Sequence, residues 1–249
     1  MDWGEIMRFN GVNPSEISPK IFVSHEVISS IPPREIRMVS ASDQAYLAGV
    51  TLSPREIHLH LNFAGRNIDH ANNLARRVAQ LLCREDLAEY EPSHTPGKAL
   101  SAILVSATEA KWKWGFGVIE YVFQAPRPYY HSTSETVITG GDTVLIEPMG
   151  SVPCRPIISH TMDADAQALT ISAGGGTIMR IRNPLGTDLQ AGQIINVDFG
   201  SRLVEIAGQP AMTFVDYTAS TWHPRMLGAT EILLSDAGDT TVRWRDEWM

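Results

Sequence analysis

The stretch GFGVIEYVFQAPRPYY, residues 115–130, contains a strong strand signal and a clear break in the chain. Val118 to Phe123 is a dense run of β-branched and aromatic residues, the types that are enriched in strands. Pro126 and Pro128 then end the strand, because proline has no backbone N–H for a sheet ladder. A Ser-, Thr- and Gly-rich segment follows. We therefore expect one domain over residues 1–131 and a second over residues 132–249.

Upstream of this junction, one segment has the period of an amphipathic helix. Its apolar residues recur at three- and four-residue steps, and Arg76 and Arg77 lie on the other face. Asp69 is a candidate N-cap, and Pro92 prevents continuation of the helix. The pattern predicts a helix over about residues 69–89, with the apolar positions Ala71, Leu74, Ala75, Val78, Leu81 and Leu82.

The remainder of the first domain has strand patterns. Ile57, Leu59 and Leu61 alternate with His58 and His60, as in a strand with one buried face. Lys111-Trp112-Lys113-Trp114 alternates charged and aromatic residues. The first domain is therefore predicted to be a β-domain with one α-helix.

The second half contains short strands at regular spacing. Leu169 and Ile171 alternate with polar residues, Gly174 to Gly176 provides a turn, and Met179 and Ile181 alternate again. We find no helical period of useful length there. The pattern predicts an antiparallel β-sandwich over residues 132–249.

Composition narrows the class of protein. The chain has 249 residues, of which 43% are hydrophobic and 19% charged, with a formal net charge of −8. This charge argues against a surface that wraps nucleic acid, which needs clustered Lys and Arg. No window approaches the roughly 18 apolar residues of a membrane helix. Cys83 and Cys154 are far apart in the sequence, so we do not expect a disulfide framework. We expect synthesis in a reducing compartment.

Two histidines are candidate metal ligands. His58 and His60 are two residues apart on a predicted strand, so their side chains share one face and could chelate a metal. A metal site needs a third ligand, and the neighbouring sequence does not supply one. We favour the alternative, in which these histidines lie on a face of the strand that contacts solvent or another subunit.

The residue patterns of catalysis are missing from the sequence. There is no G-x-S-x-G elbow, and Cys83 is predicted to be a small buried hydrophobe on the helix. Asp163 and Asp165 are close in sequence, but adjacent acids are common on surfaces. Gly174 to Gly176 lacks the Lys-Ser/Thr of a phosphate loop. We expect no enzyme activity, no cofactor and no metal.

The tryptophans raise the alternative of a sugar-binding platform. Trp222 and Trp248 are the candidate carbohydrate contacts, as in β-sandwich lectins. The competing interpretation is that Trp244 lies in the core and that Trp112 and Trp114 pack in a sheet or a subunit contact. We favour the latter because no Asn, Asp and Arg cluster accompanies the aromatic residues.

Ordered pieces of the chain resemble the distal tail proteins of long-tailed phages (siphophages). Residues 115–130 look like the last strand of that family's first domain, with its Pro-aromatic junction. Other matching pieces, in the same order, are Arg8 to Asn13, Gly150 to Ile158, Ile181 to Asn183, Gly192 to Asp198, Arg202 to Val204, and Thr241 to Arg245.

The resemblance implies a virion structural protein of the tail tip. Its first domain would carry an extended arm and close into a ring of six copies, and its second would be a galectin-like β-sandwich. The ring would join the tail tube protein to a spike or tail-associated lysin, with receptor-binding proteins as further partners. DNA would pass through without sequence-specific binding. Such a protein is synthesised in the host cytoplasm and needs no membrane.

Overall fold

The computed structural model describes residues 7–41 and 44–249, and the chain divides into two compact units. The N-terminal unit comprises the described residues up to His131 together with Met249, and the C-terminal unit comprises Ser132–Trp248. Both units are built mainly from antiparallel strands, which confirms the predicted fold class.

The N-terminal unit begins with β1 (Arg8–Phe9), α1 (Pro14–Ile17), β2 (Ile21–Ile28), β3 (Arg34–Ala41), β4 (Gln44–Leu52) and β5 (Arg55–Ala64). It continues with α2 (Ile68–Leu82), β6 (Ala88–Glu91), β7 (Lys98–Ala107), β8 (Lys111–Lys113), β9 (Phe116–Ala125) and β10 (Tyr130–Ser132).

The main sheet of this unit has the strand order β1-β6-β7-β9-β5-β2, with β8 paired to β9. Strand β5 alternates as predicted, with Ile57, Leu59, Leu61 and Phe63 buried and the intervening side chains more exposed. Phe123 packs against Phe9 and Tyr90, with ring centroids 5.3 and 5.2 Å apart. One face of the sheet therefore forms the core of this unit.

Helix α2 covers part of that buried face and is shorter than the sequence suggests. The predicted N-cap Asp69 is wrong: Asp69 lies in the first turn, and Asn67 is the N-cap, because the Asn67 side chain accepts a hydrogen bond from the backbone N–H of His70. The predicted end near residue 89 is wrong, since the helix stops at Leu82 and Cys83 is extended. The following residues enter β6, which buries Ala88 and Tyr90 at the alternating spacing of a strand.

A second helix, α1, also departs from the prediction of one helix. It has a single turn, capped by Asn13, whose side chain accepts a hydrogen bond from the backbone N–H of Ser15 at 2.8 Å. Pro14 occupies the first helical position, where its missing N–H costs nothing. The Asn-Pro pair is a local start signal that the apolar period of such a short segment cannot reveal.

Strands β3 and β4 form a hairpin of their own, which we call the arm. The register shifts between Arg37 and Met38, because Arg37 is opposite Gly49 whereas Met38 is opposite Leu47, so Ala48 is a bulge. At its base, the backbone N–H of Ser53 donates to the carbonyl of Pro33 at 2.9 Å.

The C-terminal unit contains β11 (Thr136–Gly140), β12 (Thr143–Ile146), β13 (Ile157–Met162), β14 (Ala168–Ala173), β15 (Gly176–Arg182) and β16 (Ile194–Asp198). After these come β17 (Leu203–Ile206), β18 (Gln209–Pro210), a 3-10 turn (Met212–Phe214), β19 (Thr230–Leu234), β20 (Gly238–Trp244) and β21 (Glu247–Trp248).

Two sheets enclose the core of the C-terminal unit. Their strand orders are β11-β20-β13-β16-β17-β18 and β12-β19-β14-β15. Inward side chains of both sheets make one apolar cluster, which includes Ile158, Val197, Ile171, Ile232 and the predicted core residue Trp244. Such face-to-face packing of two antiparallel sheets defines a β-sandwich. Among the residues that the structure describes, no helix is long and apolar enough to cross a membrane.

Candidate functional site

The arm carries an apolar face that nothing in the N-terminal unit covers. Met38 is opposite Leu47, and Ile36 is opposite Val50. Directly opposite residues of an antiparallel pair point to the same side, so these four side chains form one stripe. They are 60%, 61%, 60% and 47% exposed in that order. We call this stripe, with Leu52, the apolar face of the arm.

The other side of the arm is mixed in character. Glu35 and Arg37 lie there with Thr51, followed by Val39 opposite Tyr46. Val39 and Tyr46 are also more than half exposed. An isolated two-stranded hairpin is marginally stable in water, and contiguous exposed apolar surface of this kind marks interaction sites. The arm is therefore a candidate interaction surface.

A second uncovered surface lies on the main sheet of the N-terminal unit, opposite to the side that α2 covers. One row of this surface crosses β2, β5 and β9 and consists of His25, His60 and Glu120. His58 lies on β5 in the neighbouring row. We call this side, which also carries Phe22, Val118 and Phe116, the open face.

The predicted pair His58 and His60 lies on the open face and surrounds one carboxylate. The Nδ1 atom of His58 is 2.9 Å from Oε1 of Glu120, and Nε2 of His60 is 3.9 Å from the same oxygen. The ring of His25 lies 5.7 Å from that of His60. The hydrogen bond with His58 is the main cause that lowers the pKa of Glu120. The sequence around His58 and His60 did not indicate Glu120, because this contact depends on the register between β5 and β9.

This histidine cluster does not have the arrangement of a metal centre. Within residues 7–41 and 44–249, no group of three or more His, Cys, Asp or Glu side chains is placed to hold a metal ion. Glu56 is 3.7 Å from His58, but it lies on the outer side of that ring and is largely exposed. The geometry indicates a polar patch on an exposed sheet.

The two predicted carbohydrate contacts lie in different local environments. Trp222 is half-buried and meets Phe199 edge to face, with ring centroids 6.0 Å apart. The next residue, His223, accepts a hydrogen bond at Nε2 from Nη2 of Arg202 at 3.2 Å. Trp248 is half-buried on the short strand β21. Carbohydrate contact by either residue stays a prediction.

Other sequence candidates have structural roles. Gly174 and Gly175 form the β14–β15 turn with positive φ angles of 59° and 82°, as the turn interpretation predicts. The Asp165 side chain accepts a hydrogen bond from the backbone N–H of Ala191 at 2.8 Å. The predicted burial of Cys83 is wrong, because the helix ends before it and leaves the thiol exposed.

Two buried polar groups were not indicated by the sequence. His160 is buried between Thr240, whose hydroxyl is 2.9 Å from Nδ1, and Asp236, whose carboxylate is 3.3 Å from Nε2. Arg55 is fully buried, and its guanidinium lies 4.9 Å from the centre of the Tyr130 ring.

The fold and the exposed side chains together describe a β-rich protein with two apolar candidate interaction surfaces. Residues 149–248 match the family described as siphovirus-type tail component, C-terminal domain. This match confirms the resemblance of the chain to siphophage distal tail proteins.

A solved structure shares the fold. The crystal structure of SPP1 Dit (gp 19.1), described as a paradigm of the hub adsorption apparatus in phages that infect Gram-positive bacteria, matches with a TM-score of 0.80 and 13% identity. The match covers 98% of this chain and 99% of that chain. A chain of the phage P2 baseplate, in its activated conformation with Ca, matches at a TM-score of 0.49 and 8% identity, covering 91% and 90%. No curated protein sequence is a significant match.

Proposed function

We propose that this chain is the structural hub at the distal end of a phage tail, where copies close into a ring of six. In this role the ring joins the tail tube to a spike or tail-associated lysin, holds receptor-binding proteins, and lets DNA pass through its centre. The protein acts by assembly and has no catalytic activity. It resides in the virion after synthesis in the host cytoplasm.

The apolar face of the arm is the observation that carries this proposal. Its stripe would cost free energy if it stayed in water, at roughly 25 cal/mol for each Å² of apolar surface. A second copy can cover it by a heterologous contact, in which the arm of one copy lies on a different surface of the next. Repetition of such a contact produces a ring when the rotation closes.

The net charge suits the proposed passage of DNA. At −8, the chain lacks the excess of Lys and Arg that would neutralise phosphates and hold the polymer. Repulsion between like charges keeps DNA from adhering to an acidic surface. The charge therefore supports passage without sequence-specific binding.

Mass measurement of a charged arm variant tests the ring. Replacing Met38→Glu together with Leu47→Glu puts two carboxylates in the centre of the apolar face. Light scattering should show the parent at the mass of a closed oligomer and the variant at the mass of one chain, 27.4 kDa. Electron microscopy of the parent should show rings.

The matched control places the same charges on the C-terminal unit. Val137 and Leu145 are also about half exposed, on outward-facing positions of the sandwich sheets. The variant Val137→Glu with Leu145→Glu should keep the mass of the parent. A parent that remains a single chain at high concentration would refute the ring, and an arm variant with parental mass would refute the arm as its contact.

Carbohydrate binding by the C-terminal unit is a second candidate. It is favoured by the position of Arg202, whose guanidinium meets His223 directly after Trp222 in the chain. Aromatic rings next to hydrogen-bond donors suit sugar recognition. A glycan screen should then show binding that Trp222→Ala abolishes and Trp114→Ala, in the other unit, retains. A screen without binding would dismiss this candidate.

A further inference from the structure

The open face contains a concave pocket at the end where β8 joins the sheet. Its volume is about 350 Å³. Phe22, Phe116 and Val118 supply apolar walls, Asn62 lies between them, and Lys111 and Lys113 stand at the rim. The sheet register explains this set, because Lys111, Val118, Asn62 and Phe22 lie in one row across four strands.

The hairpin beside the pocket is held in a fixed conformation. Its turn, Trp114-Gly115, has positive φ angles of 55° and 86°. The backbone N–H of Gly65 donates to the carbonyl of Gly115 at 2.8 Å, and a Cβ atom at Gly115 would lie 2.8 Å from the Gly65 oxygen. Beneath the pocket, Trp112 packs edge-on against Phe63, with centroids 6.1 Å apart. The pocket is therefore formed before any partner binds.

The aromatic side chains at and beside the pocket are exposed to solvent. Trp114 is 85% exposed at the tip of the hairpin, and Phe116 and Phe22 are also exposed. Tryptophan is one of the residue types that are enriched at the energetic centres of protein interfaces. A preformed pocket with aromatic walls suits one large side chain of a partner.

The rim supplies charge. The whole chain has four lysines, and two of them, Lys111 and Lys113, project from the same side of β8. Neither forms an ion pair within the part of the chain that the structure describes. Two ammonium groups at one rim of an acidic protein favour an anionic partner, and they are too few for a nucleic-acid backbone.

We propose that this pocket binds a protein segment in which carboxylates flank a large apolar side chain. The apolar side chain enters between Phe22 and Phe116, and the carboxylates meet Lys111 and Lys113. The residues that line this site belong to β2, β5, β8 and β9 and not to the arm.

A labelled peptide measures the interaction with the full chain. The probe is fluorescein-labelled Gly-Asp-Trp-Glu-Gly, compared with Gly-Asn-Trp-Gln-Gly and Gly-Asp-Ala-Glu-Gly by fluorescence anisotropy. The acidic tryptophan peptide should bind most tightly, with each of the other two about tenfold weaker. Raising the salt concentration should weaken the two peptides that contain Asp and Glu more than it weakens Gly-Asn-Trp-Gln-Gly, when all three have amidated C-termini and the same label.

Variants locate the binding site. Lys111→Glu with Lys113→Glu should weaken the acidic peptide by about tenfold or more. Phe116→Ala should remove the preference for tryptophan over alanine. The control Arg76→Glu with Arg77→Glu makes the same change of net charge on α2, across the sheet, and should leave binding unchanged.

The outcomes decide the proposal in either direction. The proposal is overturned if the acidic and neutral peptides bind equally, or if the lysine variant binds as tightly as the parent. It is also overturned if no peptide binds at about 1 mM. Light scattering of the same samples keeps this result separate from the ring, because the lysine variant should retain the parental mass.

Discussion

Two hairpins of this chain have the same kind of apolar cross-strand pairs and differ in what covers them. In β14–β15, Ile171 is opposite Met179 and both side chains are fully buried between the sandwich sheets. In the arm, Met38 is opposite Leu47 and both are about three-fifths exposed. The comparison teaches that such pairs specify a hairpin with an apolar side. Whether that side is covered by the same chain depends on the rest of the topology.

Removing the arm should have the largest effect on assembly and little effect on folding. Residues 34–52 can be replaced by Asn-Gly, because Pro33 and Ser53 are already joined by a backbone hydrogen bond at the base. We expect a folded single chain by light scattering and circular dichroism. The control replaces Gly174-Gly175 by Asn-Gly in the sandwich and should keep the parental mass. An arm-less chain that still forms the parental oligomer would remove the distinction between the two hairpins.

A single truncation in each hairpin should separate their contributions to stability. Ile171→Ala leaves a cavity in the sandwich core, and we expect the free energy of unfolding to fall by roughly 2–5 kcal/mol. Met38→Ala should change it by about 0.5 kcal/mol or less in the dissociated chain, because the side chain is already in water. Urea unfolding at low protein concentration measures both. Similar losses in the two variants would mean that the chain itself covers the arm.

The smallest expected effect concerns pH and the open face. The folded-state pKa of Glu120 is lowered, mainly by its hydrogen bond with His58, from the ordinary value of 4.5. Its contribution to stability is therefore present above that value and is lost as the pH falls through the lowered pKa. Glu120→Gln should be less stable than the parent near neutral pH, and the difference should shrink under acid.

Urea unfolding across a pH series checks this expectation. The exposed residue Glu85, in the loop after α2, provides the control Glu85→Gln. A difference between parent and Glu120→Gln that grows as the pH falls would contradict the assigned direction. The same series also tests whether the open face stays accessible. A partner that covered this face would exclude water and would thereby strengthen the interaction between Glu120 and His58.

Local patterns predicted the elements whose signals lie within a few residues. The alternation around Ile57 to Leu61, the Gly174 turn and the start of α2 depend on side chains that are neighbours in sequence. The end of α2 was wrong because Ala88 and Tyr90 enter the core from a strand, and this depends on pairing with β7. The exposed position of Cys83 follows from the same cause.

The candidate surfaces were predicted less completely than the fold. Strand spacing placed His58 and His60 on one face, but only the pairing of β5 with β9 brings Glu120 to them. The pocket depends on residues from four strands, so no local pattern contains it. The buried position of Arg55 goes against the usual exposure of arginine and could not be expected. The arm itself was implied by family resemblance alone.

The bulge at Ala48 determines which residues share the arm's apolar face. With this extra residue, Leu47 lies beside Met38 while Tyr46 lies on the opposite side with Val39. Side chains alternate with a period of two along a strand, so pairing Ala48 in regular register opposite Met38 would exchange the two sides beyond that point. A one-codon deletion at Ala48 would instead remove the bulge and keep Leu47 beside Met38 and Tyr46 beside Val39. The arm can accordingly lose this one residue during its evolution without exchanging its two sides.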